Sequence, residues 1–282
     1  MDGLTLCVPS SLVREAEDKR EATRKLGYVA RAAAVFGASR LVVFPDREGE
    51  RRWGGGFVRT VLRYAATPPD LRKELWGQRD ELEYAGVLPP LRVESRTGSA
   101  PGGDESLTQG LVTEVGSEGR VRVNSPLGEH PISLLVPSGV EVEQGERVTI
   151  RISSREPVRA RITGKPEDGF QVVGADLPDA LAREEFALAT SRHGEELSGS
   201  RLGELVARTS RDDTAVVFGA PGRGLPAILG VSPEDVRAAD GGPVEPDPGF
   251  DLWLNTIPRQ ESAVVRTEEA LFASLGALRL TE

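Results

Sequence analysis

The residues best placed to do chemistry are a set of glycines and small polar side chains near the end of the chain. In TAVVFGAPGRGL, Thr214 to Leu225, a β-branched apolar run breaks at Gly219, and Gly222 and Gly224 follow. Glycines just past a strand permit positive φ angles and let a ligand approach the main chain closely. They serve a plain strand-to-helix turn equally well. The stretch lacks the Lys-Ser/Thr of a phosphate-binding loop, and its G-x-x-G-x-G spacing differs from the dinucleotide fingerprint. Some thirty residues on, FDLWLNTIPRQESAVVRTEEALFASLGALRL opens as a short apolar strand at Leu252, Trp253 and Leu254. A polar loop from Asn255 to Val265 follows, and then a helix with Ala270, Leu271, Ala273, Leu275 and Leu278 at roughly helical spacing. Pro258 has no amide hydrogen and holds Ile257 extended, so the ladder must stop there. Backbone groups of Leu254, Thr256 and Ile257 are then expected to lack ladder partners, and a planar hydrogen-bonding ligand is one way to satisfy them.

Other chemistries are poorly supplied. Ser262 has neither a G-x-S-x-G context nor a histidine partner, which argues against a hydrolase. The single cysteine, Cys7, cannot close an internal disulfide, and His130 and His193 are too few and too far apart for zinc, so no metal is expected. Asn255 and Thr256 also suit a turn. Glu268 and Glu269, behind Thr267, suit the first turn of a helix, where they offset its dipole. The net charge of −9 opposes phosphate binding in sum, yet basic residues cluster in Lys19–Arg31 and Arg151–Lys165. No leader is expected at the start of the chain, and no apolar run nears the ~20 residues that span a bilayer. A cytoplasmic protein fits, without a membrane role.

The elements that must position these residues alternate. Leu4–Val8 is expected as a strand, Ser10 or Ser11 as a helix cap, Leu26, Val29, Ala30, Ala33 and Phe36 as one helical face ended by Gly37, and Arg40–Phe44 as a strand buried in a parallel sheet. A helix over Phe57–Ala66 follows. Glu94–Ser106, rich in glycine, serine and acids, reads as a linker. Beyond it come short strands at 110–115, 120–124, 130–135, 147–153 and near 158–162, which suits a small five-stranded barrel. Arg147, Thr149 and Arg151 would share one face of that barrel, a basic groove for single strands, although residues 107–169 contain no aromatic side chain on which bases could stack. After Lys165 the α/β pattern resumes: a strand at Phe170–Val173, a helix over Arg201–Thr209, the loop-bearing strands, and a surface loop at Asp235–Gly249.

FGAPGRGL followed by LNTIPRQESAVVRTEEAL resembles the C-terminal half of the SPOUT family of RNA methyltransferases, and FALATSRHG, Phe186 to Gly194, resembles that family's first knot strand and its following turn. VPSSLV, GYVARAAAVFGASRLVVF, LRYAATPPDLRKELW and LEYAGVLPPL extend the likeness along nearly the whole chain. It is greatest to the archaeal and eukaryotic branch with an oligonucleotide/oligosaccharide-binding (OB) insertion. The resemblance implies an α/β fold with a deep C-terminal trefoil knot, formed by residues 1–99 and 166–282 and interrupted by an OB-like β-barrel at 100–165. It implies a homodimer through the knotted domain that uses S-adenosylmethionine to methylate RNA, either rRNA or tRNA. The donor would lie against Thr190 and Ser191, then Phe218, Gly219, Ala220, Gly222, Gly224 and Leu225. The third loop would add Leu254, Asn255, Thr256, Ile257, Gln260, Val264, Val265 and Thr267. Arg192 and Arg266 would be the catalytic cations, holding a phosphate or the acceptor base, with His193 as a conceivable proton acceptor. A non-catalytic RNA-binding or ribosome-assembly factor that keeps the fold is the alternative. A nucleotide-binding regulator that uses the glycine loop is a third reading, weakened by the absent P-loop lysine.

Overall fold

The computed structural model describes residues 3–69, 71–91, 98–99, 106–126, 130–155, 157–166 and 169–279. The first part of the chain gives β1 (Leu4–Pro9), α1 (Lys19–Val35), β2 (Ala38–Phe44), α2 (Gly55–Ala66) and α3 (Arg72–Trp76), then single 3-10 turns at Asp80–Leu82 and Ala85–Val87. Strands follow without helices: β3 (Gly98–Ser99), β4 (Ser106–Val115), β5 (Arg120–Asn124), β6 (Ile132–Leu135), β7 (Arg147–Arg155) and β8 (Val158–Gly164). Alternation then returns with β9 (Gln171–Gly174), α4 (Leu177–Leu181), β10 (Phe186–Glu196), α5 (Gly199–Arg211) and β11 (Thr214–Val217). The chain closes with α6 (Leu225–Leu229), α7 (Pro233–Ala238), β12 (Leu252–Asn255) and α8 (Thr267–Leu278).

Six strands form a parallel sheet in the order β12-β10-β11-β1-β2-β9. Parallel strands need helical crossovers, and helices cover both faces, so the covered stretches of the strands are apolar. All of β1, β11 and β12 is buried. Leu4, Leu6 and Val8 of β1 pack on one side with residues of α1, α2 and α8. Cys7 and Val42 pack on the other with Leu177, Leu181, Val231 and Val236. Period-two alternation thus assigns each strand residue to one of two cores.

The second sheet is antiparallel and nearly closed, in the order β6-β5-β4-β7-β8, with β3 added to β4. Its core of Val112, Val121, Val123, Leu134, Val148, Ile150, Ile152 and Ile162 comes from alternate positions. The other face meets water, as the exposed Arg120 and Arg122 of β5 show. Polar joints tie it to the first sheet. Arg63 of α2 donates to the Val172 and Gln144 carbonyls at 3.0 and 2.6 Å, and Asn124 Nδ2 donates to the Leu75 carbonyl at 3.0 Å.

Several expectations need correction. Asp18, not Ser10 or Ser11, caps α1, accepting from the Glu21 amide at 2.7 Å. The two serines are buried against Asp46 instead, because the chain leaving β1 turns back through the core before it starts the helix. Residues 235–249 are not all loop: α7 runs to Ala238, with Pro233 in its first turn and Ser232 accepting from the Asp235 amide at 3.0 Å. Arg147 does not share an open basic face. It is buried, and donates to Gln109 Oε1 at 2.9 Å and to the Phe170 carbonyl at 3.3 Å, where the chain passes between the two sheets. Most of Glu94–Ser106 lies outside the described residues.

Candidate functional site

In a parallel sheet every strand points its C-terminal end the same way, and ligands sit in the crevice beyond those ends. Here the chain leaving β10, β11 and β12 forms the walls of one cleft of about 430 Å3. Each wall is tied to both of the others. Thr190 Oγ1 donates to the Val217 carbonyl at 2.8 Å, joining the first wall to the second. Thr267 Oγ1, at the start of α8, donates to the Gly219 carbonyl at 2.9 Å, joining the second to the third. Asn255 Nδ2 donates to the Arg192 carbonyl and Arg192 Nη1 to the Ala263 carbonyl, both at 3.3 Å, closing the ring. Net stabilisation of about 1 kcal/mol per bond is modest, but a ring of four fixes the relative position of three segments distant in sequence.

Local sequence explains each wall. Gly222 has φ +66°, which L side chains rarely adopt, and it allows the tight turn in which the Ala220 and Arg223 amides donate to each other's carbonyls at 2.9 and 3.0 Å. Gly224 is not left-handed as expected: with φ −67° it is the N-cap of α6. A Cβ there would meet only Pro226 Cδ, at 3.6 Å, so the space above it is open. On the first wall no separate turn follows the strand. β10 runs on to Glu196, with its register to β12 shifting between Thr190 and Glu195. Gly194 makes this possible, since a Cβ would lie 2.6 Å from the Trp253 carbonyl group.

Of the residues expected at a donor site, Thr190, Ser191, Phe218, Gly219, Ala220, Gly222, Gly224, Asn255, Thr256, Ile257, Gln260, Val264, Val265 and Thr267 line this cleft, as does Arg192. Leu225 and Leu254 do not; both are fully buried, because α6 and β12 turn these side chains into the core. Arg266 does not either. It precedes α8, its amide donates to Glu269 at 2.9 Å, and its Nε lies 3.5 Å from Glu15 on the outer side. The Ile257 amide is also less free than Pro258 suggested, since it donates to Asn255 Oδ1 at 3.0 Å in a local turn.

Arg223, His193, Pro226, Ala227 and Pro233 also line the cleft. Arg223 Nε lies 3.1 Å from both oxygens of buried Asp46, and its Nη2 is 3.2 Å from Glu48. Asp46 follows β2, so this pair anchors the glycine turn to the opposite half of the sheet. No local signal announces it, for the partners are 177 positions apart. His193 Nδ1 lies 2.8 Å from Arg237 Nη2 of α7. Burial, then Arg237 and Arg192, push its pKa below the ordinary 6.5. Cys7, behind the glycine turn, is fully buried, and desolvation pushes its thiol up to about 12, which removes it as a nucleophile. Among the described residues no acidic side chain lines the cleft and no metal-binding group occurs. No helix among them is long and apolar enough to cross a membrane.

The cleft has the volume of a small-molecule site, roughly 300–1,000 Å3. The exposed Gly222 and Gly224, the open space at Gly224 and the apolar Ile257, Val264 and Val265 suit a small ligand with a planar ring and a polar part.

Comparison with known proteins agrees in kind. A family model described as "Putative RNA methyltransferase" matches residues 3–278. Uncharacterized proteins of Haloarcula marismortui and Halobacterium salinarum are each 62% identical over 281 residues, covering 99% of both chains. The human 28S rRNA (uridine-N(3))-methyltransferase is 25% identical over 320 residues, covering 98% of this chain and 77% of its own.

Proposed function

The chain belongs to this RNA methyltransferase family, and on that premise we propose that it transfers a methyl group from S-adenosylmethionine to a uridine of ribosomal RNA. The observation that carries the reading is the single cleft built from three hydrogen-bonded walls, with main chain exposed along the glycine turn. Transfer RNA is the other substrate class compatible with the family. N3 of uridine is the acceptor atom named for the human relative, and it is the atom proposed here.

When bound, the sulfonium donor supplies an electrophilic methyl carbon. What the protein must add is chiefly alignment, which is worth about 7–11 kcal/mol where two reactants are held in near-attack geometry. Ile257, Val264 and Val265 present apolar surface to the adenine, while the backbone at Gly222 and Gly224 and the Gln260 side chain fix its edges and the ribose. Thr190 and Ser191 border the donor on the first wall, and Arg192 stands at the acceptor side, where it offsets negative charge. Arg266, outside the cleft, is assigned no catalytic role in this subunit.

The fold reading extends further. The walls after β10, β11 and β12 are proposed to belong to a C-terminal trefoil knot, and the chain to form a cytoplasmic homodimer through that region. The antiparallel sheet is proposed to be an OB-like RNA-binding module. Arg151, Arg159 and Arg161 flank a hollow at its β6–β8 seam, which supports that role.

Calorimetry with S-adenosylmethionine, followed by transfer of labelled methyl groups to total RNA and nucleoside analysis, tests the proposal. Micromolar donor binding and labelled 3-methyluridine are expected. Absence of both heat and label would favour a non-catalytic assembly factor with the same fold.

A further inference from the structure

The cleft contains no obvious base, and that absence bears on how an acceptor nitrogen could be used. Its titratable lining side chains, among the described residues, are Arg192, Arg223 and His193. Arg223 is committed to Asp46 and Glu48. Only the imidazole could take a proton, and its geometry decides otherwise. A guanidinium has donors and no acceptor. The 2.8 Å contact from Arg237 Nη2 therefore requires a lone pair on His193 Nδ1, and a neutral ring so held carries its hydrogen on Nε2. The charges that act on this ring are Arg237 from α7 and Arg192 beside it on β10, both of which disfavour a protonated imidazole. The ring is half-buried at the lip of the cleft, with Arg192 exposed next to it.

Resting on the methyltransferase reading above, we propose that His193, fixed by Arg237, is a hydrogen-bond donor to the acceptor base, and that with Arg192 it holds a uracil-type ring as its N3-deprotonated anion. In this scheme the N3–H bond breaks and its proton passes to water. Negative charge spreads onto the flanking carbonyl oxygens, which accept from His193 Nε2–H and from the Arg192 guanidinium. The freed nitrogen pair forms the bond to the methyl carbon, and the carbon–sulfur pair stays on the departing thioether. Atoms and charge balance: an imide and a sulfonium give an N-methyl imide, a thioether and one proton. Fixed donors aimed at developing negative charge stabilise it as it forms. A ribose hydroxyl is far less acidic and would need the base this cleft lacks, so the arrangement favours a base imide over the sugar.

Two readouts test this, one independent of turnover. The chain contains two histidines, so nitrogen-15 spectra of histidine-labelled protein, assigned with His130→Ala, report the His193 tautomer directly. Hydrogen on Nε2 with bare Nδ1 is expected at neutral pH, and Arg237→Met should relax that preference. A ring protonated at Nδ1 in the unaltered protein overturns the proposal. For methyl transfer, His193→Ala should lower kcat/KM by about 100-fold, the lower end of what a lost charge-stabilising donor costs. His193→Gln keeps an N–H and has no usable base, and should stay within about fivefold of the unaltered enzyme on the same scale. If His193→Gln falls as far as His193→Ala while calorimetric donor binding is unchanged, histidine is a proton acceptor and the donor role is wrong. Label found on ribose overturns it too. Loss of donor binding by the unaltered protein instead sinks the methyltransferase reading itself, which the calorimetric arm keeps separate.

Discussion

The two sheets of this protein spend their side chains in opposite ways. In the parallel sheet β1, β11 and β12 are buried along their whole length, so those side chains are committed to packing and recognition falls to main chain and loops at the strand ends. In the antiparallel sheet one face is core and the other meets water, so Arg120, Arg122, Arg159 and Arg161 reach the solvent. A concave site for one small molecule arises naturally from the first arrangement, and a diffuse charged surface from the second. The acidic chain as a whole therefore reveals little about either, since the net charge of −9 averages over both.

The strongest way to break that contrast is to damage each core in turn. Trp253 is fully buried in β12 and packs edge-to-face on Phe250 with centroids 5.3 Å apart. Trp253→Ala should cost about 3–5 kcal/mol in denaturant unfolding and should abolish donor binding. Ile150→Ala, in the antiparallel core, should cost about 2–5 kcal/mol and leave donor affinity unchanged at a temperature where the protein is folded. Equal loss of donor binding in both would show the sheets to be one functional unit. A smaller effect is expected from Gly224→Leu, whose side chain would enter open space beside Pro226. Donor affinity should fall by about 100-fold, roughly 2.7 kcal/mol, with little change in stability. Unchanged donor affinity would place the donor elsewhere. The smallest effect should come from Arg159→Ala with Arg161→Ala, exposed on β8. RNA affinity should weaken several-fold irrespective of sequence, and its log–log salt slope should flatten by about 1.4, or ~0.7 per phosphate contact on a single strand. A change in donor binding, or none in salt slope, would contradict the division of labour.

Much of this was legible in the order of residues. Alternation and helical spacing located β1, β2, β12, α8 and the end of α1 to within a few residues, because each carries its burial pattern within its own length. The glycine turn and the polar loop after Leu254 were recognisable as chain that cannot continue a ladder. Errors arose where a partner far along the chain decides. Ser10 and Ser11 looked like caps until Asp46 claimed them. Arg147 looked like part of a surface stripe until Phe170 and Gln109 covered it. Leu225 and Leu254 lie in α6 and β12 with their side chains turned into the core, and Arg266 lies one residue before α8, beside Glu15.

The sequence by itself determined the strands β1, β2, β11 and β12, the helices α2 and α8 and the breaks at Gly219 and Pro258, since these follow from periodicity, proline and glycine within short windows. Only the tertiary structure decided that three turns meet around one cleft, that Arg223 is anchored by Asp46, and that His193 faces Arg237. Those pairings span 27 to 177 positions. They depend on strand order and helix rotation, which the packing of the whole chain selects and no local pattern encodes.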